Sequence, residues 1–503
     1  MLESWYKGEL TFFDNYVIPL AVQLKDIDAF VVCSDEYLNY ALENRQRWAK
    51  TGKDIVAAFN AKYNGAKDVA DAAKIDLLAK ARVDVGTQKT SNPSDGELPK
   101  HLQRLVDWNV ELLERLLKRI LAKRAAAAGM SGQTETPKFK KQEGQIVVDE
   151  VVESISFPDL DPSTSVGKID ANSVELSLAA TSQLREYVTK IGHQFAQNPF
   201  HCLDHGSQVS MTANKLLSRI VSPANKSGSS KYDASELYEQ TFGLASDPLA
   251  QFAVVFAALI HDVDHSGVPN AQLVRENHEL ATTYKHRSIA EQHSIDLAWS
   301  LLMQPGFEDL TASIFADATE LLRFRQIVVN SVMATDCIDK KLDTLRGARW
   351  EKAFGEGKGN TSKEDMDRKA TCVIATLMQA ADSFHALGHW HLYSKWNERH
   401  FLEMYGAFVK GRLSQDPSVY WYKSEMMFLE QHVIPLCQKM EETGVFGASA
   451  KEALAFAISN RDQWSAKGGN MVASMMAKYY GKAIEKTRAD KILQRKSLSA
   501  CKA

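Results

Sequence analysis

The chain has 503 residues, 45% of them hydrophobic and 24% charged, which is the composition of a folded globular protein with room for roughly two to four domains. Its 60 basic and 63 acidic residues leave a net charge of −3, which excludes a global attraction to nucleic acid or to an anionic membrane. There is no bilayer-length apolar run and no signal-peptide pattern at the N-terminus, and the six cysteines stand singly without a Cys-x-x-Cys pair, so a reducing, cytoplasmic setting is expected.

The first predicted element returns near the end of the chain. WYKGELTFFDNYVIPL at Trp5–Leu20 is answered by WYKSEMMFLEQHVIPL at Trp421–Leu436, at an offset of 416. The match continues without a gap: ENRQRWAKTG (Glu43–Gly52) faces SNRDQWSAKG, and Ala61-Lys62-Tyr63 faces Ala477-Lys478-Tyr479. About two in five positions are identical over about sixty residues, too many for convergent amphipathic helices. Residues 1–66 are therefore expected to be a helical fragment equivalent to the C-terminal end of a second copy, begun upstream of Met1. An upstream signalling domain in a longer protein would fit that arrangement.

Residues 67–160 are expected to connect this fragment to the next domain. GTQKTSNPSDGELP reads as a loop from its Gly, Pro, Ser and Asn content. Leu102–Arg124 carries apolar residues at helical spacing with a basic last turn. It suits either a coiled-coil connector or a helix docked on the following domain. Ala125–Gly144 reads as a flexible linker. Residues 161–485 recur at three and four spacing without alternating strand runs, so the predicted fold is all-α, with VSPANKSGSSKYD and FGEGKGNTSKED as long loops and 486–503 as a tail.

Within 161–485 the sequence FAVVFAA runs into LIHDVDHSG, setting His261, Asp262, Asp264 and His265 at the end of a buried-looking helix. Charges placed there need partners, because burying an isolated charge is expensive. NPFHCLDH adds His201 and His205, and MQAADSFH adds Asp382 and His385. Two neutral imidazoles and two carboxylates suit a divalent cation held by mixed nitrogen and oxygen donors.

HDVDHSGVPN, the order of the motifs, ELATTYKHRSIAEQHSIDLAWSLL, VMATDC and the helix WYKSEMMFLEQHVIPL together resemble the catalytic domain of class I cyclic-nucleotide phosphodiesterases, an all-helical family of the wider HD hydrolases. The resemblance covers roughly 161–485. It implies an all-α bundle with a two-metal site, in this family a tight zinc and a looser magnesium or manganese. Carried over, the metal ligands are His201, His261, Asp262 and Asp382, with Asp262 bridging. Glu291, His293 and Thr335 fall where the family supports metal-bound waters, and Asn270 falls at the substrate. Such ions activate a water and absorb the charge that builds on the phosphoryl oxygens.

Two positions depart from the family pattern. The better-known form reads Tyr-His-Asn-x-x-His, its first His being the proton donor, whereas AQNPFH sets Ala196 and Gln197 there. An amide is no general acid, so His205, His265 or a metal-bound water is expected to replace it. In the base pocket the aromatic clamp is Phe428, the family glutamine is Glu425, and His385 stands where an asparagine is common. An ionised carboxylate only accepts, and can take the N1–H and 2-amino protons of guanine, which favours cyclic GMP over cyclic AMP. The predicted function is metal-dependent hydrolysis of a 3′,5′-cyclic nucleotide to the 5′-monophosphate. The alternatives are a cyclic-nucleotide-sensing module without activity, supported by Gln197, and another HD-family phosphohydrolase.

Overall fold

The computed structural model describes residues 2–26, 34–64, 98–127, 146–160, 171–221, 234–355 and 362–500. The predicted loop at 86–97, the helical stretch before it, linker residues 128–144, most of both long loops and the last three residues lie outside these. No strand occurs among the described residues, and the fold is all-α as expected. No described helix is long and apolar enough to cross a membrane. Two compact units are present, Met1–Glu97 and Leu98–Ala503.

In the first unit α1 (Leu2–Phe12) passes through a π-helical turn, Phe13–Val17, into α2 (Ile18–Asp26), and α3 (Ser34–Asn64) packs back on both. The Trp48 indole donates to the Tyr6 carbonyl at 3.1 Å, and the Tyr6 hydroxyl donates to the Ala49 carbonyl at 3.0 Å. Gly52 lets this indole lie flat on α3, since a Cβ there would stand 2.8 Å from the ring.

The second unit is built around α7 (Pro248–Ile260), PLAQFAVVFAALI, in which Leu249 through Ile260 are all buried. Pro248 occupies the first turn, where a missing N–H costs nothing, and a helix apolar on every face must be surrounded. Its neighbours are α4 (Lys100–Ala127), α6 (Leu203–Val221) and α9 (Ala318–Met333), while α5 (Leu178–Gln194) packs on α4. Leu102, Val106, Val110, Leu113, Leu117 and Ile120 of α4 join the core. The helix expected within a connector is thus part of the bundle, because its apolar stripe is covered by α5 and α7. Residues 146–160, also expected in the connector, strap across the bundle. Val148, Ile155 and Phe157 donate backbone N–H groups to Gln292, Thr371 and Asp367, and Glu150 takes both nitrogens of the buried Arg325 at 2.7 and 2.9 Å.

The remaining labelled helices are α8 (Ile289–Leu302), α10 (Lys340–Phe354), α11 (Lys363–Asp382), α12 (Trp390–Val409), α13 (Pro417–Phe428), α14 (Ile434–Thr443) and α15 (Ala448–Ala500). Side-chain caps start several of them: Asp317 accepts from Thr319 and Glu320, and Asp416 accepts from Ser418 beside Pro417. The segment 486–500, expected as a tail, continues α15.

The last three helices repeat the first unit. A π-helical turn, Leu429–Val433, separates α13 from α14 at positions matching Phe13–Val17. Trp464 donates to the Tyr422 carbonyl at 3.0 Å, Tyr422 donates to the Ser465 carbonyl at 3.3 Å, and a Cβ on Gly468 would stand 2.8 Å from the Trp464 ring. Each contact is the first unit's contact displaced by 416 residues.

Candidate metal centre and nucleotide pocket

The end of α7 fixes the first ligand pair. His261 caps the helix, and its Nδ1 donates to the Ala258 carbonyl at 2.8 Å. That bond directs the lone pair of Nε2 outward, the arrangement a metal-binding imidazole needs. Nε2 lies 3.1 Å from Asp262 Oδ2 and 3.4 Å from Asp382 Oδ1, yet has no well-formed hydrogen bond. The second imidazole comes from α6. His205 is fully buried in its first turn, with Nε2 at 3.1 Å from Asp382 Oδ1 and 3.4 Å from Asp262 Oδ2. Gly206 permits this placement, because a Cβ there would meet the Leu259 carbonyl at 3.0 Å and the Phe195 ring at 2.9 Å. With hydrogen alone at that position, α6 closes on α7, and the His205 and His261 rings come within 5.4 Å.

Burial favours the neutral form of each group, but the cluster overrides it at His261, Asp262 and Asp382. Desolvation lowers His261, yet Asp262 and Asp382 raise it well above the ordinary value; desolvation raises Asp262, yet His261 and His201 hold it well below. Asp382 is likewise depressed, against its burial, by His205 and His261. His205 is lowered, burial being the main cause. Two partly buried carboxylates beside two imidazole nitrogens form a donor set that a divalent cation fits.

The structure sets His205, where His201 was expected, beside Asp262 and Asp382. His201 precedes α6 in a non-helical turn and faces Glu403 of α12, with Nδ1 at 2.5 Å from Oε1. The other Glu403 oxygen accepts the backbone N–H groups of Phe200 and His201 at 2.8 and 3.0 Å. Both carboxylate oxygens are thus engaged in holding this imidazole and its turn. Burial lowers His201, but Glu403 and Asp262 raise it to about 9. Glu403 itself is held at about 2, chiefly by His201, although burial opposes this. The His265 ring lies 3.8 Å from that of His201, and its pKa is pushed down to about 3 by burial and by His201. His201, His265 and Glu403 converge as a second group beside His205, His261 and Asp262.

Gln197, expected at the acid position, instead lines a separate cavity of about 140 Å³ with Ala196, Asn198, Asp204 and Arg399. Asn270, expected at the substrate, has both ends of its amide occupied: Nδ2 donates to Glu291 at 2.9 Å, and Oδ1 accepts from the Ala290 backbone at 3.0 Å. It tethers the loop after HDVDH to α8. Glu291 is raised to about 8 by burial and by Asp336. Thr335 bonds back to the Val332 carbonyl at 2.8 Å, and His293 lies 2.9 Å from Asp264, whose backbone is left-handed at φ 59°.

Glu425 of α13 is buried, and the Tyr393 hydroxyl donates to its Oε2 at 2.8 Å. Asn397 adds a second bond, but burial dominates and pushes the carboxyl up to about 7. Phe428 lies nearly parallel to His385, with ring centres 6.4 Å apart, and to His432, at 5.5 Å. Nδ1 of His385 is buried without a partner among the described residues.

The sequence reading missed Glu403, Asp336, Tyr393 and Asn397. Asp336 stands inside VMATDC, where it could have been found. The other three lie in the amphipathic run of α12, where nothing local separates them from ordinary helix residues.

Comparison with known proteins points to one family. Residues 200–444 match the family described as 3′5′-cyclic nucleotide phosphodiesterase. The "Probable 3′,5′-cyclic-AMP phosphodiesterase pde-4" of Caenorhabditis elegans is 28% identical over 224 residues, 43% of this chain and 29% of that protein. The dual specificity calcium/calmodulin-dependent 3′,5′-cyclic nucleotide phosphodiesterase 1C of Mus musculus is 25% identical over 211 residues, 41% of this chain and 25% of that protein. The match thus spans well under half the length of either relative. The phosphodiesterase domain of the RhoPDE fusion protein from Salpingoeca rosetta superposes with a TM-score of 0.46 at 22% identity, covering 59% of this chain and 85% of that one. With the motifs in order and their imidazoles and carboxylates drawn together, residues 200–444 are the part of this chain that is similar to the 3′5′-cyclic nucleotide phosphodiesterase family.

Proposed function

We propose that this domain hydrolyses a 3′,5′-cyclic nucleotide to the 5′-monophosphate, with His205, His261, Asp262 and Asp382 as metal ligands and His201 as the proton donor. The observation that carries this reading is that the Nε2 atoms of His205 and His261 each lie 3.1–3.4 Å from oxygens of both Asp262 and Asp382. The mixed donor set suits zinc at the position richer in imidazole and magnesium or manganese at the other. When bound, the ions supply an activated water and offset the charge that builds on the phosphoryl oxygens.

The chain's own groups do the rest. Cleavage of the bond between phosphorus and the 3′ oxygen leaves an alkoxide that must take a proton. His201 holds one on Nδ1 toward Glu403, and its raised pKa keeps a second on Nε2 near neutral pH. A donor so positioned is worth about two to four powers of ten in rate. With His201 as donor, neither His205 nor His265 is needed as a substitute, and the position of Gln197 in a separate cavity supports activity over the sensing alternative.

Base preference rests on Glu425. Ionised, it accepts two protons from guanine; protonated, it offers one donor and one acceptor, as an amide does, and serves either purine. With the carboxyl at about 7, both forms are populated near neutrality. The expected bias toward cyclic GMP therefore strengthens as pH rises from 6 to 8.

The test is hydrolysis of cyclic GMP and cyclic AMP by the full chain, with magnesium and with chelator, beside Asp382→Ala. Turnover lost on chelation and in Asp382→Ala is the expected result. Turnover of neither nucleotide by metal-loaded protein would overturn the reading.

A further inference from the structure

A cavity lined by several basic side chains lies outside the metal cluster. Between α10, α11 and α14 is a cavity of about 310 Å³ lined by Arg346, Arg349, Trp350 and Lys439, with His432 at one end and Asp343 as its single carboxylate. Three permanent cations against one carboxylate stand here, in a chain whose net charge is −3. Asp343 does not neutralise them, for its side chain is 78% exposed and 3.9 Å from Arg346.

The cations are held in place by bonds to neutral groups, with Glu153 acting on Arg349 only at longer range. Arg346 donates to the carbonyls of Met333 and Asp336 at 3.2 and 2.9 Å. Arg349 is 3% exposed and donates to the Val152 carbonyl at 2.7 Å and to Asn330 at 3.4 Å, while its Nε is buried with no partner among the described residues. The Lys439 ammonium lies over the Trp350 ring, 5.4 Å from its centre. A buried guanidinium with an unbonded N–H and no directly bonded carboxylate is costly. A phosphate offsets that cost through charge-assisted bonds from a planar fork and a neighbouring ammonium.

We propose that this cavity is a second anion site that takes a phosphate monoester or free phosphate, separate from the metal ligands. His432, at its end, lies 3.6 Å from Cys337 and stacks near Phe428. Occupancy is therefore coupled to the base clamp and changes KM for the cyclic nucleotide more than kcat. That coupling rests on the phosphodiesterase reading; the anion site itself does not.

The experiment is titration of the full chain, kept in chelator, with inorganic phosphate and with a nucleoside 5′-monophosphate, followed by phosphorus NMR line width. Lys439 is exposed, so Lys439→Glu tests the charge without disturbing the core; Arg349→Lys tests the fork. Binding that weakens about tenfold or more in Lys439→Glu, at an unchanged unfolding temperature, is the expected result. Inorganic phosphate binding as tightly as the nucleotide identifies the free phosphate group as sufficient; sensitive binding by the nucleotide alone identifies the monoester. Binding of both that is indifferent to Lys439→Glu, or binding of neither, would overturn the proposal. Because the titration contains no divalent ion, failure of the hydrolytic reading leaves its outcome unaffected.

Discussion

The two arms of this chain, α1–α3 and α13–α15, share their internal contacts and differ in what covers them. The π-helical turn, the indole bond to a tyrosine carbonyl and the glycine under the indole recur at the same offset. In the C-terminal arm Trp421 and Leu436 are 4% and 3% exposed, but Trp5 and Leu20 at the same positions are 44% and 56% exposed. Local sequence is thus enough to set the arm's shape. Burial of the C-terminal arm, and with it the raised pKa of Glu425, comes from α11 and α12, against which that arm packs.

Substitutions made in pairs sharpen this comparison. The largest effect is expected at the indoles. Trp464 is fully buried, so Trp464→Ala should cost about 3–5 kcal/mol, and Trp48→Ala, at a half-buried ring, distinctly less. Denaturant unfolding followed by hydrogen exchange in each arm would measure both; equal losses would break the comparison.

Next come the two glutamates. The folded-state pKa of Glu425, about 7, lies above the ordinary 4.5, so the folded chain holds this proton more tightly than the unfolded one. The stability penalty is absent below pH 4.5, grows as pH rises toward 7 and is complete above it. Glu425→Gln should therefore gain roughly 3 kcal/mol at pH 8, at about 1.4 kcal/mol per pH unit crossed, and little at pH 4.5. Glu9→Gln should change stability by no more than about 0.5 kcal/mol. Thermal unfolding at the two pH values decides the matter.

The glycines should behave alike, since each faces its indole at the same distance. Gly52→Ala and Gly468→Ala should each cost about 1–3 kcal/mol through overpacking. Smallest is the exposed pair Arg45–Asp14, bonded at 2.8 and 2.9 Å. Arg45→Ala should leave the unfolding midpoint where it is, as removal of a solvated ion pair usually does.

The same contrast between local and distant causes explains what could be read from the sequence. The repeat, the all-α fold and the HDVDH corner were legible, because helical spacing and adjacent ligands are local patterns. The placement of His201 and His205 was not. Two imidazoles four residues apart suit either role from sequence alone, and only the start of α6 between them decides which one enters the core. Glu403, about two hundred residues later in α12, selects His201 as the imidazole to hold, and no local signal announces it. Glu425 was legible as a residue but not as a titrating one, since its pKa is set by burial against helices distant in sequence.

The proposed roles of those two histidines are tested most directly by the metal content of His201→Gln and His205→Ala, measured after purification with zinc and magnesium, beside the hydrolysis rate of each. The account predicts that His205→Ala loses bound metal and turnover together, and that His201→Gln keeps its metal while kcat falls by about two to four powers of ten. Metal lost from His201→Gln and retained by His205→Ala would contradict it.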